Sequence, residues 1–96
     1  MSDAGGITRV SRTVPISNRR GLHARASAKF VTLAAAQPVE IMVEKDGSSV
    51  TATSIMGLMM LGAAMGDSIT ISASGEDAET AVHALASLVE ERFGED

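Results

Sequence analysis

The strongest constraint on the fold is a change in hydrophobic period at Gly21. Residues 10–16 alternate apolar and polar side chains, which predicts a β-strand. From residue 24 to about 36 the apolar residues recur at helical spacing, and Pro38 ends this predicted helix, because the residue before a proline disfavours the α region. Pro15 has no backbone N–H to donate, so we expect the first strand at a sheet edge.

The rest of the chain repeats these two periods and predicts one α+β domain. The later predicted elements are a strand over 39–44, a hairpin turn at Asp46-Gly47, a strand over 49–52, a short helix over 55–61 with Ser54 as N-cap, a strand over 68–73 and a helix that opens at 75–77. The order β-α-β-β-α-β-α, with one apolar face on each strand, predicts a two-layer open-faced sandwich. In it, three helices cover one face of a four-stranded antiparallel sheet. We expect residues 1–8 to form a mobile tail, 9–93 the domain and 94–96 an acidic C-terminal tail.

Composition and charge exclude several classes of protein. The 96 residues contain no cysteine, so disulfides and thiolate metal sites are absent, and we expect neither a metal nor a cofactor. No apolar run approaches the roughly 20 residues of a membrane span, and no signal peptide is evident, which predicts a cytoplasmic protein without membrane insertion. The net charge of −4 argues against a nucleic-acid partner.

The chemistry is concentrated in the segment Gly21-Leu22-His23-Ala24-Arg25. The amides and the dipole at a helix start favour an anion, and the Arg25 guanidinium offers planar donors that suit phosphate. An imidazole is largely neutral at cellular pH, so His23 has a lone pair that can act as a nucleophile. Further basic residues lie close by in sequence: Arg19, Arg20 and Lys29. Together these features predict a phosphoryl group on His23.

This segment resembles the active-site motif of HPr, the histidine-containing phosphocarrier family of the phosphoenolpyruvate-dependent phosphotransferase system. The resemblance extends from about Val10 to Glu91, and it includes the Asp-Gly hairpin, the segment Ser54-Ile55-Met56 and residues 71–77. It implies a sheet of strand order 1-4-2-3. One departure stands at Ala26, where the family usually has proline. We expect alanine to keep the helix start and to loosen it slightly.

The resemblance also implies a function. Phosphorylated enzyme I would phosphorylate His23 on Nδ1, Arg25 would steady the phosphoryl oxygens, and an enzyme IIA domain would receive the group in sugar uptake or a nitrogen-related regulatory chain. Ser54 matches the serine that HPr kinase/phosphorylase modifies in bacteria that have this enzyme. A monomeric carrier, and not an enzyme in the turnover sense, is expected.

A partner surface beside His23 is predicted from basic and apolar side chains. Leu58 and Leu61 satisfy the inward positions of the short helix, so Met56 and Met59 are expected on an exposed rim, where methionine suits several partners, and Met60 is expected in a core or mixed position. The predicted partner-binding residues are Arg19, Arg20, Ala24, Ala28, Lys29, Thr32, Ile55, Met56 and Met59.

Simpler interpretations exist for several of these residues. Ser54 is explained by N-capping alone, and Arg19 and Arg20 by an ordinary solvated turn. His83, which lacks a neighbouring Gly turn or Arg, is expected to be a solvated helix residue. The alternative functions are a regulatory binding module that uses the same face without phosphotransfer, and a hydrolase or metal enzyme. A binding module without phosphotransfer would predict loss of His23 or Arg25, and both are present. A metal enzyme or a hydrolase needs convergent ligands or a general base, which the sequence near His23 lacks.

Overall fold

The change of period at Gly21 separates a strand from a helix, as the sequence predicts. The computed structural model describes residues 9–95, so residues 1–8, expected as a tail, and Asp96 lie outside the described part. The elements are β1 (Arg9–Pro15), α1 (Ala24–Ala35), β2 (Ile41–Lys45), β3 (Ser48–Thr51), α2 (Ile55–Met60), β4 (Ser68–Ser74), α3 (Ala78–Glu90) and a 3₁₀ turn (Arg92–Gly94). This order confirms the predicted β-α-β-β-α-β-α arrangement, and the 3₁₀ turn is an addition that the sequence does not predict.

The sheet has strand order β1-β4-β2-β3, and each neighbouring pair is antiparallel. β1 lies at an edge, where Pro15 pairs with Ser68 in the last rung of the ladder. An edge position tolerates a proline, because no second neighbour needs its missing N–H. The edge strand predicted from Pro15 and the strand order implied by the resemblance are both confirmed.

One face of each central strand packs under the helices and forms the core. Val43, Ile69 and Ile71 are fully buried there, and the residues between them point to the open face of the sheet. The two aromatic residues, Phe30 and Phe93, are buried as well. α3 packs on β1 and β4. Helical spacing predicts an apolar stripe that includes Leu88 and omits Ala86, whereas Ala86 is buried and Leu88 only half-buried in the structure.

The turn that precedes α1 is fixed by a close backbone contact. Gly21 has φ +63°, and a Cβ atom at this position would lie 2.3 Å from the carbonyl oxygen of Ala63. The Leu22 N–H donates to that same oxygen at 2.9 Å, and the Leu22 side chain is buried. The loop after α2 therefore packs directly against the turn that leads into α1.

Gly21→Ala is expected to destabilise the domain more than Gly62→Ala. Both glycines have nearly the same left-handed φ, +63° and +66°, but only the space at Gly21 is filled by backbone. The left-handed conformation alone costs alanine about 1–2 kcal/mol. The clash with Ala63 should add at least about 1 kcal/mol at Gly21, as overpacking does elsewhere. Urea unfolding followed by circular dichroism measures the difference, and equal losses in the two variants would contradict the contact.

Candidate functional site

His23 is the N-cap residue of α1, and its imidazole takes the place of the usual Ser, Thr, Asp or Asn side chain. Its backbone is extended, with φ −75° and ψ −179°, and its carbonyl accepts the first helical hydrogen bond from the Ser27 N–H at 2.8 Å. Nδ1 of the ring accepts from the backbone N–H of Arg25 at 3.3 Å. The ring nitrogen Nδ1 is therefore aimed at the amides of the helix start.

The other ring nitrogen of His23 contacts the carboxylate of Glu95. Nε2 lies 2.9 Å from Oε2 and 3.2 Å from Oε1 of that carboxylate. A backbone N–H only donates, so Nδ1 is the unprotonated acceptor, and the proton of the neutral ring lies on Nε2, where it is donated to Glu95. The side chains of His23 and Glu95 are 20% and 16% exposed. The structure thus holds one tautomer, with its lone pair at Nδ1, in a ring that is partly open to solvent.

Two side chains hold the C-terminal segment against the ring. Nδ2 of the buried Asn18 donates to the Gly21 carbonyl at 3.0 Å and to Oε1 of Glu95 at 3.1 Å. Nζ of Lys29 donates to the carbonyl of Phe93 at 2.6 Å. Asn18 thereby joins the turn before α1 to the last described residue of the chain.

The Glu95 contact is absent from the sequence-based predictions, as is Asn18. Glu95 belongs to the segment that the sequence indicates as an acidic tail, and 72 residues separate it from His23. No periodic pattern reports a contact across that distance. The only sequence signal is Phe93, a large apolar residue that is unusual in a solvated chain end and is buried in the structure.

Hydrogen bonding keeps Glu95 ionised. Burial is the largest influence on this carboxyl and favours the neutral form, but it is outweighed by the hydrogen bonds from Asn18 and His23, by the positive charge that His23 has when its ring is protonated, and by the charge of Lys29. The net result is a pKa of Glu95 below its ordinary value of 4.5. A carboxylate therefore faces Nε2 at neutral pH.

The predicted basic cluster separates into two groups. Arg19, Arg20 and Arg25 are exposed, and none of them forms a salt bridge within residues 9–95. Lys29 is exposed too, but its ammonium group is engaged by Phe93. Guanidinium groups without an acidic neighbour are available to an anionic ligand or partner.

The remaining predicted residues of α1 share its outward face. Ala24, Ala28 and Thr32 are exposed, and a groove of about 550 Å³ lies over this face between α1 and α3. Ala26, where the family usually has proline, is buried and lies in the first turn. The first intrahelical bond is made by Ser27, so an N–H at position 26 belongs to the donors without a helical partner.

Ser54 begins α2 as an N-cap, as the sequence predicts. Its Oγ accepts from the Gly57 N–H at 3.0 Å. Ile55, Met56 and Met59 are exposed by 39%, 65% and 41%, in agreement with an apolar rim. The core or mixed position expected for Met60 is wrong: Met60 is 80% exposed, because the buried Leu58 already fills the inward position of this six-residue helix.

His83 is an exposed helix residue, as predicted. Its Nδ1 lies 3.5 Å from a guanidinium nitrogen of Arg12, which is paired with Glu90 at 2.8 Å. In residues 9–95 no three His, Asp or Glu side chains converge as metal ligands would. Among the helices of that same part of the chain, none has the length and apolar character to span a membrane.

Comparison with known proteins is consistent with this architecture. The family model described as PTS HPr component phosphorylation site matches residues 10–91. The chain belongs to the HPr family. It is 43% identical to phosphocarrier protein HPr of Cupriavidus necator, over 90% of this chain and 97% of that protein. It is 39% identical to phosphocarrier protein NPr of Shewanella violacea, over 93% and 98%.

Solved HPr structures have the same fold. The crystal structure of HPr-C-His from Thermoanaerobacter tengcongensis superimposes with a TM-score of 0.86 at 46% identity, over 91% of this chain and 98% of that one. The HPr fold and the role of the family therefore apply to this chain. It is a phosphocarrier of the phosphotransferase system, which interacts with enzyme I and enzyme II components and is not itself an enzyme.

The ionised Glu95 predicts a specific dependence of stability on pH. A carboxyl whose pKa is lowered by folding stabilises the native state above its unfolded pKa, and this contribution is lost as the pH falls through the folded pKa. Glu95→Gln should therefore be less stable than the wild type at neutral pH, and the difference should shrink once the pH falls below 4.5, the ordinary value.

Urea unfolding at a series of pH values measures this difference in the free energy of unfolding. Glu91→Gln is the matched control, because Glu91 is exposed at the same end of α3. A gap between wild type and Glu95→Gln that stays constant as the solution is acidified would contradict the charged contact with His23.

Proposed function

We propose that His23 is the phosphoryl acceptor of this phosphocarrier. In this proposal the Nδ1 atom takes the phosphoryl group from phosphorylated enzyme I, with phosphoenolpyruvate as the ultimate donor, and an enzyme IIA domain receives it. The single observation that supports this assignment best is the tautomer: Nδ1 is unprotonated at the helix start, while Nε2 is held by Glu95. His83, in an exposed pair with Arg12, has no such environment.

The bonds and charges of the step balance without a proton transfer. The Nδ1 lone pair forms a bond to phosphorus as the bond between phosphorus and the donor group of enzyme I breaks, and that bond's electron pair leaves with the donor. Because Nε2 keeps its proton, the phosphorylated ring gains positive charge next to the Glu95 carboxylate. Transfer to the IIA domain is the same displacement in reverse, with the acceptor as nucleophile. Positioning and electrostatic stabilisation supply most of the catalysis in such transfers.

The groups around Nδ1 suit a phosphoryl group. The Arg25 N–H, which donates to the ring nitrogen in this structure, would be free to donate to a phosphoryl oxygen once Nδ1 is substituted. The guanidinium of Arg25 is exposed on the same first turn and has no competing carboxylate among the described residues. Glu95 contacts the far side of the ring, so its charge faces the imidazolium and not the phosphoryl oxygens.

The docking surface for these partners is proposed on the exposed faces of α1 and α2. Arg19 and Arg20 would steer acidic partners toward His23, since exposed charges raise association rates. Apolar contact would come from Ile55, Met56 and Met59, which are already exposed. On α1 the surface would include Ala24, Ala28, Lys29 and Thr32.

Phosphorylation of Ser54 by HPr kinase/phosphorylase is proposed as a regulatory step. A dianion at the N-cap of α2 is compatible with the fold, because helix amides favour negative charge. Its effect would be repulsion and desolvation at the docking surface rather than unfolding. We further propose that the chain acts as a cytoplasmic monomer, in sugar transport or a nitrogen-related regulatory chain.

The direct test is incubation with enzyme I and phosphoenolpyruvate. We expect wild type and His83→Ala to acquire label that is acid-labile and base-stable, as a phosphohistidine is, and His23→Ala to acquire none. Circular dichroism of the three proteins checks that each is folded. Label that persists in His23→Ala, or that disappears only in His83→Ala, would refute the assignment.

Glu95→Gln is expected to shift the transfer equilibrium toward enzyme I. An amide cannot compensate the positive charge of the phosphorylated ring, and a charged hydrogen bond exceeds a neutral one by about 1 kcal/mol. The equilibrium constant for transfer from phosphorylated enzyme I to the carrier should therefore be about fivefold lower in Glu95→Gln than in wild type. Radiolabel distributed between the two proteins measures it, Glu91→Gln serves as control, and an unchanged constant in Glu95→Gln would contradict charge compensation.

A further inference from the structure

Exposed methionines are concentrated on one short stretch of this chain. Met56, Met59, Met60 and Met65 are exposed by 65%, 41%, 80% and 59%; these four residues are called the methionine cluster below. The other methionine in the described part, Met42, is half-buried in β2, on the opposite side of the sheet from the helices. The sequence has no cysteine, so thioethers are its only oxidisable sulfur groups.

The methionine cluster lies on α2 and on the loop after it, and both of these contact the region that holds His23. α1 packs against α2, and the loop after α2 contacts the turn through the Leu22 N–H and the Ala63 carbonyl. The Cα of Ala64 lies 2.8 Å from where a Cβ of Gly21 would be, and Met65 is the next residue in the chain. The cluster therefore lies on elements that pack against α1 and against the turn before it, where His23 is the N-cap.

The cluster is not needed for the core. Leu58 is the buried residue of α2, and Ala63 is the buried residue of the loop that follows. Oxidation of an exposed thioether adds a polar S=O group without removing a core contact, so the fold should tolerate it. When a partner protein docks, the S=O group would be buried in an apolar interface without an assured hydrogen-bond partner. The free-energy cost of that burial opposes association.

We propose that the methionine cluster is a site of reversible oxidation to methionine sulfoxide, which weakens docking of partner proteins at His23. The inference rests on the proposed function of this surface. The oxidant is hydrogen peroxide: the thioether sulfur attacks one peroxide oxygen, and the O–O bond breaks. The departing hydroxide takes the proton of the transferred oxygen and leaves as water, so that sulfur loses two electrons and becomes a sulfoxide. A thiol-dependent sulfoxide reductase reverses the change, with the oxygen released as water and the thiols oxidised to a disulfide.

The experiment treats the full chain with hydrogen peroxide and follows two readouts. Mass spectrometry of peptides locates each added oxygen, and we expect the cluster to be oxidised before Met42. Kinetics of phosphorylation by enzyme I then give the KM and kcat for this chain as substrate. We expect KM to rise about tenfold, which is about 1.4 kcal/mol of docking free energy, with kcat and the thermal unfolding midpoint little changed.

Two variants provide the controls, each compared with its own untreated form. The four-leucine variant, which combines Met56→Leu, Met59→Leu, Met60→Leu and Met65→Leu, should show no rise in KM on peroxide treatment. Met42→Leu should show the same rise as wild type. Sulfoxide reductase should restore the KM of the treated wild type. An equal rise in KM in the four-leucine variant would assign the effect to another residue and overturn the proposal, as would preferential oxidation of Met42.

Failure of this inference is distinguishable from failure of the proposed function. Untreated protein that accepts label on His23 but keeps its KM after complete oxidation of the cluster overturns the oxidation switch alone. Untreated protein that accepts no label from enzyme I overturns the phosphocarrier assignment of His23, and with it the docking consequence of oxidation.

Discussion

The site depends on one imidazole that is held at both nitrogens. A backbone amide occupies Nδ1 of His23 and a carboxylate occupies Nε2, so rotation of the ring about its side-chain bonds would break both hydrogen bonds. This pair of contacts fixes the orientation and the tautomer together. The lone pair of Nδ1 is therefore directed toward the helix amides. In the proposed role of His23, preorganisation of this kind would lower the cost of reaching the transition state.

The contact at Nε2 requires the turn before α1 and the 3₁₀ turn after α3 to lie side by side. Arg92 and Phe93 both adopt left-handed backbone, with φ +59° and +55°, which costs about 1–2 kcal/mol for each residue that is not glycine. Burial of the Phe93 ring and the hydrogen bond from Lys29 to its carbonyl offset this cost. The 3₁₀ turn then brings Glu95 to the ring. The reactive geometry thus forms only when α3 and the turn after it are packed on the rest of the domain.

Local sequence signals predict most of the fold and the position of His23 at the start of α1. Pro15 indicates an edge strand, Ser54 an N-cap and Gly21 a turn, because each acts on its own backbone or the next few residues. The sequence does not indicate the contacts of Glu95 with His23 and Asn18, because they join residues 72 and 77 positions apart and no periodicity reports them. The core or mixed position expected for Met60 is wrong for a related reason. In a helix as short as α2, helical spacing alone does not decide whether Met60 faces the core or the solvent. The packing of Leu58 into the core decides it.

The charges of the site are arranged on two sides of one ring. In the proposed phosphoryl transfer to Nδ1, a positive charge would form on the ring and a negative charge on the phosphoryl oxygens. The Glu95 carboxylate faces the ring through Nε2, and the Arg25 N–H at the helix start faces Nδ1. The Arg25 side chain is exposed on the same turn of α1. Lys29 does not contribute in the same way, because its ammonium group is committed to the Phe93 carbonyl. In the proposed function, the carrier would therefore stabilise both charges itself, and its partners would supply the remaining catalytic groups.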